Sequence, residues 1–385
     1  MSVRRLALLF HLTLAAISAA FPALGEEAAR RPYELIRALR SVQDRIAGGD
    51  AAAFLSYRTM LSEQATLFAD AAGDVWADPR NVRAAVAFVL SGGDPSILRK
   101  LVPLATGRDQ VLVKAALAYG ENRNAEAAKL LADLDPRTLD GSIAGHVALV
   151  QAELVAKKQP EKALALLGDA RLLAPGTMIE EAALRREATL AAEQGAADRF
   201  EKVTMQYLRR FPNSAHMATF RRQFAQDVAR RSMADDPDRR ARMEAIISGL
   251  PVGRQQEIYL AVAWEGTKAG KVDLVRWSAR NAASLAEDGS PQQLRSRLCE
   301  AAVLVVTDEI DTALTILRAL PAERLDAEEE GLRAAALRLA GEMRRLPALP
   351  GEGANPPAGA GATPIMTTAR AAVARADALL AGGAR

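Results

Sequence analysis

The sequence has few aromatic residues and a single cysteine. Only 17 of its 385 residues are Phe, Trp or Tyr, whereas 81 are alanine. Alanine is the strongest helix former, while aromatic and β-branched residues favour strands. This balance argues against a β-sandwich or β-barrel and favours closely packed helices. The lone Cys299 excludes an intramolecular disulfide, and its apolar helical neighbours predict a small buried side chain.

Histidine, on which many catalytic and metal sites depend, is scarce as well. The chain has three histidines, and neither His146 nor His216 has a His, Cys or carboxylate partner at the spacing of a helical metal site. Ser142 lies in the string DGSIAG, which lacks the register of a nucleophile elbow. We therefore predict no catalytic, cofactor-binding or metal-binding residues. The net charge of +3 is too small to indicate a nucleic acid partner.

Residues 1–25 have the features of a cleavable signal peptide. Arg4 and Arg5 precede an apolar stretch over residues 6–20, and Ala23-Leu24-Gly25 fits the small-residue rule for cleavage. The apolar stretch is short for a membrane span, and no later segment is long and apolar enough for one. These features predict an exported protein whose mature chain begins at Glu26 and has no membrane span. The alternative is an uncleaved anchor helix.

Internal repeats indicate the fold. Half of the residues are hydrophobic, so a large core can form. Ala163, Leu167 and Ala170 share one helix face before Pro175, and the preceding helix carries Val147 and neighbouring apolar residues. These offsets match the two helices of a tetratricopeptide unit of about 34 residues. Small residues at 163 and 170 let the two helices approach each other closely.

Weaker copies of this pattern occur on both sides. Positions equivalent to Ala163 fall at Ala127 and Phe200, which are 36 and 37 residues away. We predict an all-α fold of antiparallel helix pairs stacked as a tetratricopeptide-like α-solenoid over residues 26–346. The alternative is an ordinary Ala-rich helical domain. The Pro/Gly/Ala-rich residues 347–364 predict a linker, and residues 365–385 predict a mobile segment that can form a short helix.

Basic residues are concentrated in one stretch of the chain. Residues 199–242 contain 11 basic and five acidic residues, an excess of +6 on a nearly neutral protein. We take Arg209, Arg210, Arg221 and Arg222 as candidate partner-binding residues, which would suit an acidic partner. The alternative is a solvated helix face, which is the usual role of such charge runs.

Several longer strings resemble the MotC family of periplasmic motility proteins. The resemblance covers about residues 32–231, with weaker similarity beyond. The strings that carry it are PYELIRAL at 32–39, QDRIAGGD at 43–50, AVAFVLSGGDP at 85–95, ALAYGE at 116–121, ARLLAPGT at 170–177, EEAALRRE at 180–187 and YLRRFP at 207–212.

The resemblance implies a non-enzymatic role in the periplasm, at the flagellar motor. Members of the family bind the periplasmic part of the stator protein MotB and support its folding, stability or placement. The family has no catalytic motif whose residues could be carried over to this chain. Two other functions remain open on the residues alone. One is a general periplasmic adaptor in envelope or peptidoglycan assembly, and the other is the scaffold of a cell-wall enzyme, which would need an appended catalytic domain.

Overall fold

Every regular element of the described residues is helical. The computed structural model describes residues 31–231 and 233–345, so the predicted signal peptide, linker and C-terminal segment lie outside the described residues. Seventeen α-helices and three short 3₁₀ turns make up the described ranges, which contain no strand. The helices are α1 Pro32–Ala47, α2 Ala51–Asp70, α3 Pro79–Leu90, α4 Ser96–Arg99, α5 Gly107–Gly120, α6 Asn124–Leu131, α7 Ala144–Val155, α8 Pro160–Leu173, α9 Met178–Glu193, α10 Ala197–Arg210, α11 Met217–Arg230, α12 Pro237–Ser248, α13 Val252–Lys268, α14 Val272–Ser284, α15 Pro291–Leu304, α16 Ile310–Ala319 and α17 Ala327–Arg345.

Local signals in the sequence explain where several helices begin. The carboxylate of Asp78 accepts a hydrogen bond from the Arg80 amide at 2.9 Å, and Pro79 occupies the first position of α3. The same arrangement of an acidic cap before a proline recurs at Asp236 and Pro237, where α12 begins. Such caps satisfy amides that have no partner within the helix, and proline at the first position loses no hydrogen bond.

The helices pack as neighbouring pairs that stack on one another. The pairs α5–α6, α7–α8, α9–α10, α13–α14 and α15–α16 each consist of an odd-numbered first helix and an even-numbered second helix, whereas α11 packs on α9 and α13 rather than on α12. First helices also contact first helices of the next pair, as α9 does with α11 and α11 with α13. The prediction of an all-α array of stacked helix pairs is confirmed, and the arrangement is that of a helical solenoid.

The predicted contact between α7 and α8 is formed by small residues. Ala163 and Ala170 are completely buried on α8. A Cβ atom added at Gly145 of α7 would lie 2.7 Å from the Cβ atom of Ala174, which directly follows α8. The two segments are therefore as close as a residue without a side chain permits. The equivalent positions Ala127 and Phe200 are also buried, on α6 and α10.

Replacing Ala163 by leucine should lower the free energy of unfolding by about 1–3 kcal/mol, because the larger side chain overpacks the α7–α8 contact. The matched control is Ala165→Leu, at an exposed position of the same helix. We expect this second change to stay within about 0.5 kcal/mol of the parent chain. Urea unfolding of the three proteins measures the difference. Equal stabilities would contradict the assignment of Ala163 to the helix contact.

Two large cores run through the first two-thirds of the array. One joins α3 and α5 with Leu35 and Leu39 of α1, and the other joins α8 to α11 with Ala47, the last residue of α1. Cys299 is buried in a smaller core, where burial raises the pKa of its thiol to about 12. The prediction that it is a small buried side chain is confirmed. In the described parts of the chain, no helix combines the length and apolarity needed to cross a membrane.

Candidate partner-binding groove

The first helices of the pairs line a groove. Two adjoining cavities of about 400 and 670 Å³ share Leu90, Tyr119 and Glu153 in their walls, so they form one continuous depression, which we call the groove. Its residues come from the ends of α3 and α5 and from the later first helices α7, α9 and α11. The side chains that define its course are Leu90, Tyr119, Leu149, Glu153, Arg185, Arg186, Thr189, Thr219, Gln223 and Asp227.

Aromatic rings form the floor of the groove beside α11. The rings of Phe200 and Phe224 stack with their centroids 5.6 Å apart, and those of Tyr207 and Phe220 lie 4.0 Å apart. All four side chains are at least 95% buried. Because aromatic pairs stabilise packing beyond the area they bury, these contacts hold α10 and α11 in a defined position beneath the groove.

A buried carboxylate on α9 joins three segments below the rings. Glu181 is completely buried and accepts hydrogen bonds from the Tyr207 hydroxyl at 2.8 Å and the Ser214 hydroxyl at 2.9 Å. Arg185 pairs with the same carboxylate at 2.9 Å. Burial, together with the nearby Glu181 charge, raises the pKa of Tyr207, so its hydroxyl remains a donor. The network connects α9, α10 and the loop before α11.

Two further carboxylates of α9 bind arginines of the second helices. Glu187 is 1% exposed and pairs with Arg171 of α8 at 2.9 Å and with Arg199 of α10 at 2.8 Å. Glu180 pairs with Arg210 of α10 at 2.7 Å. A buried charge is tolerated when it is paired and hydrogen-bonded, and both carboxylates are paired. Glu187 Oε1 accepts a hydrogen bond from Arg199 at 2.9 Å, whereas its Oε2 has only the ion pair with Arg171. Their arrangement is that of a framework that joins helix pairs.

The four candidate arginines have two different environments. Arg210 pairs with Glu180, and Arg221 pairs with Glu257 of α13. Arg209 and Arg222 are exposed and have no hydrogen bond or ion pair to any residue of the described ranges. Arg209 lies on a second helix, α10, whereas Arg222 lies on α11 beside the groove residue Gln223. The structure does not gather the four side chains at one place, and their role in binding stays a prediction.

Ion pairs with acidic residues offset much of the basic excess of residues 199–242. Seven of the 11 basic residues in 199–242 pair with a carboxylate, and several of these carboxylates belong to α9 or α13. The seven are Arg199, Arg210, Arg221, Arg230, Arg231, Arg239 and Arg242. A count along the chain could not include acids that arrive from other helices.

The groove residues themselves were not singled out from the sequence. Tyr119, Glu153 and Arg186 belong to three different first helices, and only stacking brings them together. Glu153 and Arg186 form an ion pair at 3.3 Å across α7 and α9. A partial signal was present, because Leu90, Tyr119 and Arg186 lie within strings that carry the family resemblance.

The two histidines in the described part of the chain lie outside the groove. Burial, and secondly the charge of Arg40, lowers the pKa of His146 to about 3, so its ring is neutral at physiological pH. Its Nε2 atom lies 3.4 Å from the Ser91 hydroxyl. The His216 ring packs edge-on against Phe54, with centroids 5.6 Å apart. Among the residues that the structure describes, no group of three or more His, Cys, Asp or Glu side chains could hold a metal ion.

Comparison with known proteins identifies the family. The family profile described as "Chemotaxis protein MotC" matches residues 1–382. The chain belongs to the MotC family. A MotC-family relative from Rhizobium meliloti (strain 1021), named "Chemotaxis protein MotC", is 32% identical over 320 residues, which cover 82% of this chain and 73% of the relative. No solved structure matches the chain.

Membership in the MotC family confirms the resemblance that the strings indicate, and it extends the match on both sides of residues 32–231. It associates the chain with motility and chemotaxis. In this MotC-family member, the groove across the first helices is a candidate binding surface. Since no solved structure matches, the closer likeness to tetratricopeptide proteins stays a prediction.

Proposed function

We propose that this chain is a non-enzymatic periplasmic protein needed for flagellar rotation. It binds the periplasmic part of the stator protein MotB and supports its folding, stability or placement. Family membership supports the assignment to motility, and the strings that resemble MotC proteins supply the identity of the partner. The signal-peptide features of residues 1–25 support export, with a mature chain that begins at Glu26.

The groove is the observation that carries the proposal of binding. Neighbouring helices pack ~8–10 Å apart, so a groove that crosses five helices is roughly 30–40 Å long. About ten residues of extended chain cover that length. Stacked helix pairs commonly bind partners on such curved surfaces. The apolar floor can bury side chains of the partner, while Glu153, Arg186 and Gln223 offer polar groups to its backbone.

Calorimetric titration with the periplasmic region of MotB from the same organism tests the proposal directly. We expect saturable binding by the chain that begins at Glu26, and loss of swimming in a strain that lacks the gene. Absence of binding together with normal swimming would contradict the motor assignment. The general periplasmic adaptor would then be the better interpretation.

Charge reversal at the groove should weaken this binding. Arg222→Glu places a negative charge beside the groove, and we expect the Kd to rise about tenfold, mainly through slower association. The effect should shrink in 1 M salt, where the Debye length is ~3 Å. Arg221 is a poorer test because its replacement also removes the ion pair with Glu257.

The matched control for Arg222→Glu is Arg209→Glu. Arg209 is also exposed and has no ion pair with a described residue, but it lies on a second helix. We expect little change in the Kd for this control. Equal effects of the two reversals, or effects that do not depend on salt, would contradict a role for Arg222 at the groove and would leave MotB binding itself unaffected.

A further inference from the structure

Helix α1 pairs with α2 and packs on α3, and it also extends across later pairs of the array. Near its start, the Tyr33 amide donates a hydrogen bond to Asn81 Oδ1 at 3.1 Å, and Asn81 lies in the first turn of α3. Two turns later, the Arg40 guanidinium donates to the carbonyl oxygen of Ser142, which immediately precedes α7. The helix thus reaches from the first pair of the array to the third.

The second half of α1 continues to the next two first helices. Asp44 and Met178, the first residue of α9, line the same cavity. The Ile46 carbonyl accepts a hydrogen bond at 3.2 Å from the amide of Ala215, just before α11. Four positions along α1, taken from its start to its end, therefore lie against the beginnings of α3, α7, α9 and α11 in that order.

The same four helices line the groove farther along. The groove residues Leu90, Leu149, Arg185 and Thr219 follow the α1 contacts on their helices by roughly one to three turns of 3.6 residues. Helix α1 and the groove therefore run side by side across the same elements. Any shift between two of these helices at α1 also changes the distance between the walls of the groove.

This arrangement differs from that of an ordinary solenoid. There, each repeat contacts only its neighbours, and the curvature is the sum of small rotations that can vary independently. Here, α1 contributes Leu35 and Leu39 to one large core and Ala47 to the other, so it connects distant pairs directly. Apolar packing and hydrogen bonds both hold α1 along its length, with Leu39 completely buried near its middle.

The middle of α1 lies over a polar cavity of about 240 Å³. Arg40, Asp44, His146 and Thr177 are among the residues that line it. Burial lowers the pKa of Arg40 and raises that of Asp44, while each residue's charge partly offsets the shift in the other. The contact of α1 with α7 and α9 therefore includes these two polar side chains in addition to the apolar packing of Leu39 in the core that α7 shares.

We propose that α1 is a strap that fixes the curvature of the array and so presets the width of the groove, with Arg40 and Asp44 as its positioning residues. The effect on the shape of the free chain is independent of any partner. The effect on affinity for MotB rests on the proposed function, since a preformed groove binds at a lower cost in conformational entropy.

The test compares two double variants of the whole mature chain. Arg40→Ala/Asp44→Ala removes the two polar contacts and leaves the net charge unchanged. Arg37→Ala/Ser41→Ala is the control, because both residues are exposed on α1 and form no described hydrogen bond. Each variant adds two alanines to the same helix, so the intrinsic helix propensity rises in both.

Hydrogen exchange and small-angle X-ray scattering of the free proteins supply the readouts. For Arg40→Ala/Asp44→Ala, we expect amide exchange in α1 to become at least tenfold faster, because local opening costs less. Exchange should also become faster in the groove segments of α9 and α11, and the radius of gyration should increase. The control should match the parent chain in all three measurements.

Faster exchange confined to α1, with an unchanged radius of gyration, would overturn the proposal. If the double variant is too unstable to measure, Asp44→Ala alone is a milder change and gives the same comparison. Asp44→Asn keeps a polar side chain of the same size in the cavity that Met178 also lines, and it should restore most of the parent behaviour. A parent chain that fails to bind MotB would contradict the proposed function, while these measurements would still decide on the strap.

Discussion

Replacing Glu181 by alanine should lower the free energy of unfolding by about 3–5 kcal/mol, because it removes one partner from a buried ionic network. The hydroxyls of Tyr207 and Ser214 would lose their common acceptor, and Arg185 would lose its counter-charge. An unsatisfied buried donor costs about 1–3 kcal/mol, which accounts for the size of the effect. Urea unfolding, with near-UV circular dichroism as a second probe, measures the loss.

Glu153→Ala is the matched control for Glu181. Its carboxylate is also paired with an arginine, Arg186, but its side chain is 51% exposed. Exposed ion pairs contribute ~0–1 kcal/mol, so the control should remain close to the parent chain. If the two substitutions had similar effects, the buried network would not be the element that joins α9, α10 and the loop before α11.

Gly49→Ala should destabilise the chain by about 2–4 kcal/mol, through overpacking and backbone strain together. Gly49 has a φ of +101°, and a Cβ atom built there would lie 2.1 Å from the Asn213 carbonyl oxygen. That oxygen belongs to the backbone, so it cannot move aside by a change of rotamer. The turn after α1 therefore needs glycine, both for its φ angle and for its contact with the loop before α11.

The neighbouring glycine provides the control. Gly48 has a φ of −76°, and a Cβ atom there would lie 3.4 Å from the nearest carbonyl oxygens, which is a normal contact. Gly48→Ala should be neutral or raise the free energy of unfolding by about 0.4–1 kcal/mol, because alanine restricts the unfolded chain. Thermal unfolding of the two variants measures the difference, and equal melting temperatures would show that the close approach at Asn213 is not required.

The many arginines of residues 199–242 have a structural role in addition to the proposed role in binding a partner. Arg199, Arg210 and Arg242 pair with carboxylates that are at least 90% buried on neighbouring helices. Arginine suits this role because its planar guanidinium can bond a carboxylate through two nitrogens. The exposed Arg222 is not used in this way and lies on α11, which lines the groove, whereas the equally unpaired Arg209 lies on α10, and for this reason we propose the partner-facing role for Arg222 alone.

The sequence by itself determined the fold class, the helix pairs and the family. Composition and the small residues at Ala163 and Ala170 are signals carried by single residues or by residues close in the chain. Helix propensity, capping and pair formation depend on such short separations. They could therefore be read without coordinates, and the family strings added what local signals cannot supply.

Only the tertiary structure decided which residues form the groove and which arginines stay unpaired. Arg221 meets Glu257 across 36 positions, and Arg40 meets Ser142 across 102. The repeat of about 36 residues predicts which helices are equivalent, but it does not predict which side chains meet, because their proximity depends on the rotations between successive pairs. For the same reason, the sequence did not predict which helices α1 contacts. Its amphipathic pattern shows that one face is buried, but that pattern is equally compatible with the next helix pair and with a path across four first helices.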